Sequence, residues 1–163
     1  MSSLAVIWRA GGLLFSTGVE NVAEVLPSVR ASELPAAPDW VRGLFVYRGE
    51  LIPLVDGARL LGRAREPERM INRVLVMRTR DAECGGENLV GVWVQSVLDL
   101  DRPAFEAKGT HAGLANESTR FLGRVAQTRF GQVQEVLPAE LFGAEQAELL
   151  WARVRSRVKA GVT

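Results

Sequence analysis

The sequence predicts a mainly β protein built as antiparallel barrels or sandwiches. Roughly seven to ten short apolar segments alternate with frequent glycine and proline, which is typical of this class. No alternation of strands with helical patterns is visible, so a parallel sheet of the βαβ type is not expected. The 163 residues are 47% apolar, which is ample for the core of one domain or of two small lobes sharing one chain.

The first third of the chain contains one hairpin and one ambiguous element. Residues 4–8 and 13–15 are apolar and are joined at Gly11-Gly12, which predicts two strands and a tight turn. Residues 19–27 fit a short helix or a helical turn that runs into a strand, and Pro27 ends the element. Residues 28–39 are predicted to form a loop because they are polar and rich in proline.

Residues 40–62 are the most informative segment of the sequence. Strands are predicted at about 41–47 and 50–55, joined at Arg48-Gly49, and Pro53 confines the second strand to an edge or a bulge. Asp56 is expected to cap a helical turn over residues 57–61, which Gly62 closes at the position after its C-cap. An arginine on a tight turn between apolar strands is held at the rim, so Arg48 is a candidate binding residue.

The rest of the chain predicts two more hairpins and a terminal helix. Residues 63–72 are expected to be an exposed connector. Residues 73–78 and 89–98 form one predicted hairpin, residues 99–113 a long surface connection, and residues 121–125 and 132–136 another hairpin. From residue 141 the chain is expected to be helical until Gly161, with an apolar stripe that packs on its own barrel or on a partner. The stripe consists of Ala147, Leu150, Trp151, Val154 and Val158.

One six-residue segment occurs twice with a single difference. Residues 22–27 read VAEVLP and residues 133–138 read VQEVLP. A duplicated lobe and a chance repeat in a valine-rich chain both explain this observation.

The residue inventory argues against catalysis, metals and cofactors. His111 is the only histidine and Cys84 the only cysteine, so a zinc site of histidine and cysteine ligands is excluded. A cysteine–histidine nucleophilic pair would require these two loop residues to meet in the fold, which nothing in the sequence suggests. The sequence also has no glycine-rich motif that binds phosphate. The net charge of +1 gives no global attraction to nucleic acid or lipid. We therefore expect a protein that is not an enzyme and has no cofactor.

The localisation is predicted from the lack of a membrane-spanning segment and of a signal peptide in the sequence. The sequence has no run of eighteen apolar residues, and its N-terminal apolar run is too short for a signal peptide. A single cysteine agrees with a reducing compartment. We expect a cytosolic protein.

Four segments in order resemble one known family. They are residues 22–25 (Val-x-Glu-Val), 38–43 (Pro-x-x-Val-x-Gly), 45–56 (the Arg-Gly turn followed by an apolar strand with proline and aspartate) and 90–97 (Val-Gly with later valines). The family is the CheW-like domain, the coupling-protein module of bacterial chemotaxis-type signalling. The chain departs from the family pattern at three positions, where Val46 replaces an asparagine, Gly57 a leucine and Gln95 an aspartate.

The resemblance implies a fold and a set of partners. The implied fold is two intertwined five-stranded SH3-like β barrels with short helices and a C-terminal amphipathic helix. The domain is expected over residues 1–143, with residues 144–163 as the helix and tail. The resemblance further implies a non-catalytic adaptor between the cytoplasmic tip of a methyl-accepting receptor and the regulatory domain of a CheA-type histidine kinase, located at the cytoplasmic face of receptor arrays. Self-association or rings with the kinase are also implied.

The same resemblance implies the partner-binding residues. Those that match the family's receptor- and kinase-contact surfaces are Val22, Glu24, Gly43, Arg48, Val74 and Leu75. Val22, Val74 and Leu75 fit either an apolar groove for a receptor helix or the core. Glu24 fits an interface acceptor or a solvated charge, and Gly43 fits a backbone requirement better than a contact. Arg48 is expected to pair with a carboxylate of the partner rather than to stabilise its own turn.

Two other functions remain as alternatives. Small β barrels also bind RNA or DNA, which would require a basic face with exposed aromatic side chains. A small hydrolase would require a base and a nucleophile that the sequence does not display. Within the adaptor hypothesis, flagellar chemotaxis, twitching motility and surface sensing with a cyclic dinucleotide output all remain open.

Overall fold

The structure is a computed structural model that describes residues 3–80, 87–105 and 121–160. Within these residues the predicted mainly β fold is confirmed: eleven strands, two α-helices and short 3-10 turns are present. The helices are α1 (Gly57–Leu60) and α2 (Ala144–Lys159). The strands are β1 (Ala5–Ala10), β2 (Leu13–Gly18), β3 (Val22–Pro27), β4 (Val41–Tyr47), β5 (Glu50–Asp56), β6 (Arg73–Arg80), β7 (Glu87–Val94), β8 (Ser96–Asp101), β9 (Ala104–Phe105), β10 (Leu122–Thr128) and β11 (Gly131–Val136).

The strands form two sheets, and the second is inserted into the chain of the first. The first sheet has the order β8-β1-β2-β11-β10-β9 and the second the order β3-β6-β7-β5-β4. The chain starts in the first sheet, builds the whole second sheet from β3 to β7 and then returns, so the first lobe is made of two separate segments and the second of one. This insertion of one lobe into the chain of the other agrees with the expected intertwined two-barrel architecture, with the two-residue β9 as a sixth strand in one sheet.

The second sheet curls until its two edge strands approach each other. After β3 the chain crosses to β4, where Ser32 and Leu44 exchange two backbone hydrogen bonds of 2.7 and 2.9 Å. Because β3 and β4 are the opposite edges of this sheet, the bridge closes it into a barrel.

Local predictions at turns and caps are confirmed. The turn at Gly11-Gly12 joins β1 and β2, and both glycines have positive φ. The ambiguous segment is a 3-10 turn over Val19–Asn21 followed by β3, so a helical turn running into a strand is correct. The Asp56 side chain accepts a hydrogen bond of 3.1 Å from the backbone N–H of Arg59 and caps α1. Gly62 follows the C-cap with a φ of +74°.

The predicted strand over residues 89–98 is two strands in different sheets. β7 pairs with β6 in the second sheet, and β8 pairs with β1 in the first. The switch occurs at Gln95, whose backbone N–H donates to the carbonyl of Arg9 over 2.8 Å. Apolar residues continue on both sides of Gln95 because each strand enters its own lobe, so the sequence pattern shows no break. The predicted hairpin is confirmed as β6 with β7, and the prediction is wrong only in continuing the second strand through residues 96–98.

Two other expectations need correction. Residues 63–72 are mostly exposed, but Glu66 and Asn72 are buried. Part of the predicted surface connection at 99–113 is strand, because β8 continues to Asp101 and β9 follows. Residues 106–113 of that connection, together with Cys84, His111 and Gly161, lie outside the described residues.

Pro53 occupies an edge for only part of β5. The strand pairs with β4 along its length, and its parallel register with β7 starts at Leu54. Pro53, which has no N–H to donate, therefore stands just before the point at which β5 becomes an interior strand.

Helix α2 packs on the chain's own core. Ala147, Leu150 and Val154 are buried in a cluster that also contains residues of both sheets. Val158, which was expected on the buried stripe, is exposed, so the buried face ends one turn earlier than predicted. In the part of the chain that the structure describes, no helix is long and apolar enough to cross a membrane.

The repeated segment lies once in each sheet. Residues 22–27 form β3, and residues 133–138 form the second half of β11 and the chain after it. In each copy the glutamate pairs with an arginine: Glu24 with Arg48 over 2.7 Å and Glu135 with Arg124 over 3.1 Å. The duplication stays a hypothesis, to which this shared pairing adds one observation.

Candidate docking surface

The arginine turn is a two-residue hairpin turn with an uncommon backbone conformation. Arg48 and Gly49 have φ values of +49° and +82°, and they connect Tyr47 to Glu50, which are paired in the register of β4 and β5. Positive φ at both central residues matches the twist of the flanking strands. The turn projects the Arg48 side chain into solvent, where it is 74% exposed, as the sequence predicted.

Arg48 is paired with Glu24 across the closure of the barrel. The Nη2 atom of Arg48 lies 2.7 Å from Oε1 of Glu24, and the Tyr47 hydroxyl donates to the same oxygen over 3.1 Å. Glu24 lies on β3 and Tyr47 on β4, the two edges of the second sheet. One carboxylate thus links both edges at this end of the barrel.

The surroundings alter the protonation equilibria of these groups. Burial of the ring, followed by the hydrogen bond to Glu24, raises the pKa of Tyr47 above its ordinary value. The hydrogen bond to Glu24 also raises the pKa of the Arg48 guanidinium. At neutral pH the tyrosine is therefore neutral and donates a proton, while the arginine carries its full charge.

Exposed apolar side chains are sequence neighbours of this charge pair. Val25 follows Glu24 on β3, Val46 precedes Tyr47 on β4, and both valines are exposed. Val46 is paired with the half-buried Leu51, and both line a groove of about 460 Å³. We call the surface formed by Glu24, Val25, Val46, Tyr47 and Arg48 the seam surface.

The structure brings only two of the expected site residues together. Glu24 and Arg48 form the ion pair, and Val22 is half-buried at the start of β3, packed against the main core. Val74 and Leu75 are 0% exposed, because β6 lies between β3 and β7 and both faces of the strand are covered. They therefore belong to the core and do not form an exposed groove.

Gly43 has a backbone role. Its φ is +140°, and a Cβ at this position would lie 2.3 Å from the carbonyl oxygen of Ser32. That oxygen accepts the Leu44 N–H in the bridge that closes the barrel. Only glycine allows the two segments to approach this closely.

Sequence reasoning missed the role of Arg42, the other arginine that precedes a glycine. Its Nη1 atom lies 2.5 Å from Oδ2 of Asp56, and its guanidinium stacks 4.3 Å from the ring centre of Trp93. Oδ1 of the same aspartate also accepts the N–H of Glu66 over 3.4 Å. The one signal in the sequence was a charged residue within an apolar strand, which predicts a buried partner.

The seam surface offers binding chemistry through charge and apolar contact. Among the described residues, no three histidine, cysteine, aspartate or glutamate side chains form a group that could hold a metal ion. The surface combines an exposed guanidinium, a carboxylate and two exposed valines, which are groups that can form ion pairs and apolar contacts.

Comparison with known proteins identifies relatives over most of the chain. The family model of the CheW-like domain matches residues 5–143. The chain is 37% identical to protein PilI of Pseudomonas aeruginosa over 48% of its own length and 44% of that protein. It is 32% identical to protein FrzA of Myxococcus xanthus over 58% of its own length and 56% of that protein. The match thus spans about half of each of these two relatives.

One further relative and one solved structure are covered more fully. The chain is 31% identical to the chemotaxis protein CheW of Thermotoga maritima over 64% of its own length and 71% of that protein. The crystal structure of the scaffolding protein TtCheW from Thermoanaerobacter tengcongensis superposes with a TM-score of 0.70 at 18% identity, over 90% of this chain and 96% of that one.

These findings decide the fold and the family. The superposition confirms the two-lobed SH3-like β fold, with two sheets and the C-terminal helix. The matches are to a family of non-catalytic scaffold proteins, as the sequence predicted, and they do not favour a nucleic-acid-binding barrel. The chain belongs to the CheW-like domain family.

Proposed function

We propose that this protein is a non-catalytic adaptor that couples a methyl-accepting chemoreceptor to a CheA-type histidine kinase. Membership in the CheW-like family supports this function, and so do relatives named as a chemotaxis protein and as a scaffolding protein. The adaptor acts in chemotaxis or a related chemosensory pathway, at the cytoplasmic face of receptor arrays. Self-association and rings with the kinase belong to the same proposal.

The seam surface is the observation that carries the proposal. Arg48 uses Nη2 for its bond to Glu24, while its guanidinium has further N–H donors that face solvent. Arginine and tyrosine are among the side chains most enriched at protein interfaces. The Glu24 pairing also holds the guanidinium in place, so a partner carboxylate meets an ordered donor.

The proposal assigns different roles to the expected site residues. Glu24 and Arg48 contact the partner, and Val22 extends the surface along β3. Gly43 acts through the backbone by allowing the barrel to close, while Val74 and Leu75 support β3 from the core. The partner therefore recognises the rim of the second barrel and not its interior.

Binding to the regulatory domain of the cognate kinase tests the proposal. Purified chain and purified domain should form a complex that is detectable by calorimetry at micromolar concentrations. A receptor cytoplasmic fragment should join this complex without displacing either component. Absence of any complex with the kinase domain at several hundred micromolar would contradict the proposal.

A further inference from the structure

A second surface with a different chemistry lies beside the barrel. A cleft of about 580 Å³ is bounded by residues 28–31 after β3 and by residues 65–70 before β6. Four arginines line it, together with a single carboxylate, that of Glu68. We call it the arginine cleft, and its arginines are Arg30, Arg42, Arg65 and Arg69.

Most of the positive charge in the arginine cleft is uncompensated. Arg42 is neutralised by Asp56 and also approaches Glu68 at 3.4 Å. The side chains of Arg30, Arg65 and Arg69 are exposed, and none of them has an ion-pair partner among the residues that the structure describes. Three unpaired guanidinium groups around one cavity attract a ligand with several negative charges.

Apolar side chains also line the arginine cleft. Leu54 and Trp93 line it and are almost fully buried, whereas Met70 at its rim is 96% exposed. The indole N–H of Trp93 is buried and has no hydrogen-bond partner in the described part of the chain. An unpaired buried donor is uncommon in native proteins and calls for an explanation such as an unfilled site.

We propose that the arginine cleft binds an acidic peptide segment of a partner protein. Carboxylates of the segment pair with Arg30, Arg65 and Arg69, and its apolar side chains cover Met70. The cleft is open and is lined by long side chains. A phosphate group is usually bound by the N-terminus of a helix, and none lies among the residues of the cleft. A lining that combines guanidinium groups with apolar side chains suits a peptide that carries both acidic and apolar residues.

This site is separate from the seam surface and does not depend on the proposed adaptor function. The two surfaces share no residue, since the seam surface contains Glu24, Val25, Val46, Tyr47 and Arg48. The chain alone, without kinase or receptor, is therefore sufficient for the test.

Titration with a defined peptide, followed by NMR of the indole N–H groups, tests the proposal. The probe is a twelve-residue peptide of repeated Glu-Glu-Leu, and a Gln-Gln-Leu peptide of equal length is the uncharged control. Of the four tryptophans in the chain, the Trp93 signal, assigned with a Trp93→Phe variant, should shift on addition of the acidic peptide only. The binding should weaken as salt is raised.

Charge-reversal variants determine where the peptide binds. Arg65→Glu with Arg69→Glu should weaken binding at least about tenfold, because two attractive pairs become repulsive. Arg63→Glu with Arg80→Glu makes the same charge change at exposed positions outside the cleft and should leave the affinity within about twofold. Arg48→Ala should also bind the acidic peptide normally.

Three outcomes would overturn the proposal. The first is no shift of the Trp93 signal at millimolar acidic peptide. The second is equal loss of affinity in the two charge-reversed variants, which would indicate attraction to net charge alone. The third is a Trp93 shift with pyrophosphate or with vesicles of anionic lipid but none with the peptide, which would assign the cleft to another class of ligand.

Discussion

Arg42 and Asp56 form a buried ion pair, with side chains that are 7% and 0% exposed, inside the same hairpin that exposes Arg48. Both arginines precede a glycine, yet only one of them is available to a partner. The aspartate also caps α1 through the Arg59 N–H, so the buried pair joins β4, β5 and the helix. The hairpin therefore holds one arginine in a buried ion pair and presents the other at the surface.

Loss of Arg42 should be strongly destabilising. Arg42→Ala leaves the Asp56 carboxylate buried without its partner, and breaking such a pair costs about 3–5 kcal/mol of unfolding free energy. Urea denaturation measures this change. Arg59→Ala, which removes an exposed ion pair with Asp39, is the control and should cost less than about 1 kcal/mol. Equal losses of unfolding free energy in the two variants would show that burial of the Arg42–Asp56 pair does not affect stability.

Loss of Arg48 should affect binding and spare folding. Arg48→Ala removes an exposed side chain, so the unfolding free energy should change by less than about 1 kcal/mol while affinity for the kinase domain falls. Calorimetric titration and urea denaturation give the two quantities. Arg124→Ala removes the equivalent pair with Glu135 in the other sheet and should leave kinase binding unchanged. Unfolding of Arg48→Ala with unchanged binding would mean that the turn is structural.

Gly43 and Gly49 should respond differently to alanine. Both have positive φ, where a residue with a Cβ is disfavoured by about 1–2 kcal/mol. At Gly49 no atom lies within 4 Å of the added Cβ, so Gly49→Ala should cost only this backbone strain. At Gly43 the Cβ also collides with the Ser32 carbonyl oxygen, so Gly43→Ala should cost at least about 2 kcal/mol more, since it also breaks the Ser32–Leu44 bridge.

Thermal or urea denaturation of the two glycine variants compares them directly. Equal stability of Gly43→Ala and Gly49→Ala would contradict the close approach that closes the barrel.

The titration of Tyr47 should report the hydrogen bond to Glu24. Tyr47 is the only tyrosine in the chain, so tyrosinate absorbance monitors it alone. Burial, and then the bond to Glu24, raises its folded-state pKa above 10.0. The protonated phenol is thus favoured by folding, and this contribution is complete below the unfolded pKa and is lost as the pH rises through the folded pKa.

The absorbance midpoint should lie higher in the native chain than in concentrated urea. Glu24→Gln removes the charged acceptor and should lower the native midpoint, although burial of the ring remains. Identical midpoints in native and denatured chain would contradict the buried, hydrogen-bonded position of Tyr47.

Adjacent leucines of α2 provide a matched test of helix docking. Leu150 is 3% exposed in the core and Leu149 is 62% exposed. Leu150→Ala should lower the unfolding free energy by about 2–5 kcal/mol, and Leu149→Ala by no more than about 0.5 kcal/mol. Urea denaturation of both variants measures the difference. Similar values would mean that the helix is not packed on the core in solution.

Local chemistry was sufficient to predict much of the fold from the sequence. The turns at Gly11-Gly12 and Arg48-Gly49, the Asp56 cap and the stop at Gly62 each depend on a few neighbouring residues. The exposure of Arg48 follows from the same local rule, because a residue on a two-residue turn has no neighbouring strand to cover it. These predictions are correct because each feature is produced by residues that are neighbours in the sequence.

The tertiary structure decided how the segments meet. Apolar strands look alike whichever sheet they join, so the sequence did not reveal the switch at Gln95 or the burial of Val74 and Leu75. The two arginine pairings were equally hidden: Arg42 with Asp56, and Arg48 with Glu24, which lie 24 residues apart in the chain. Barrel closure brings the edges β3 and β4 together, and only this long-range contact pairs the exposed Arg48 with Glu24.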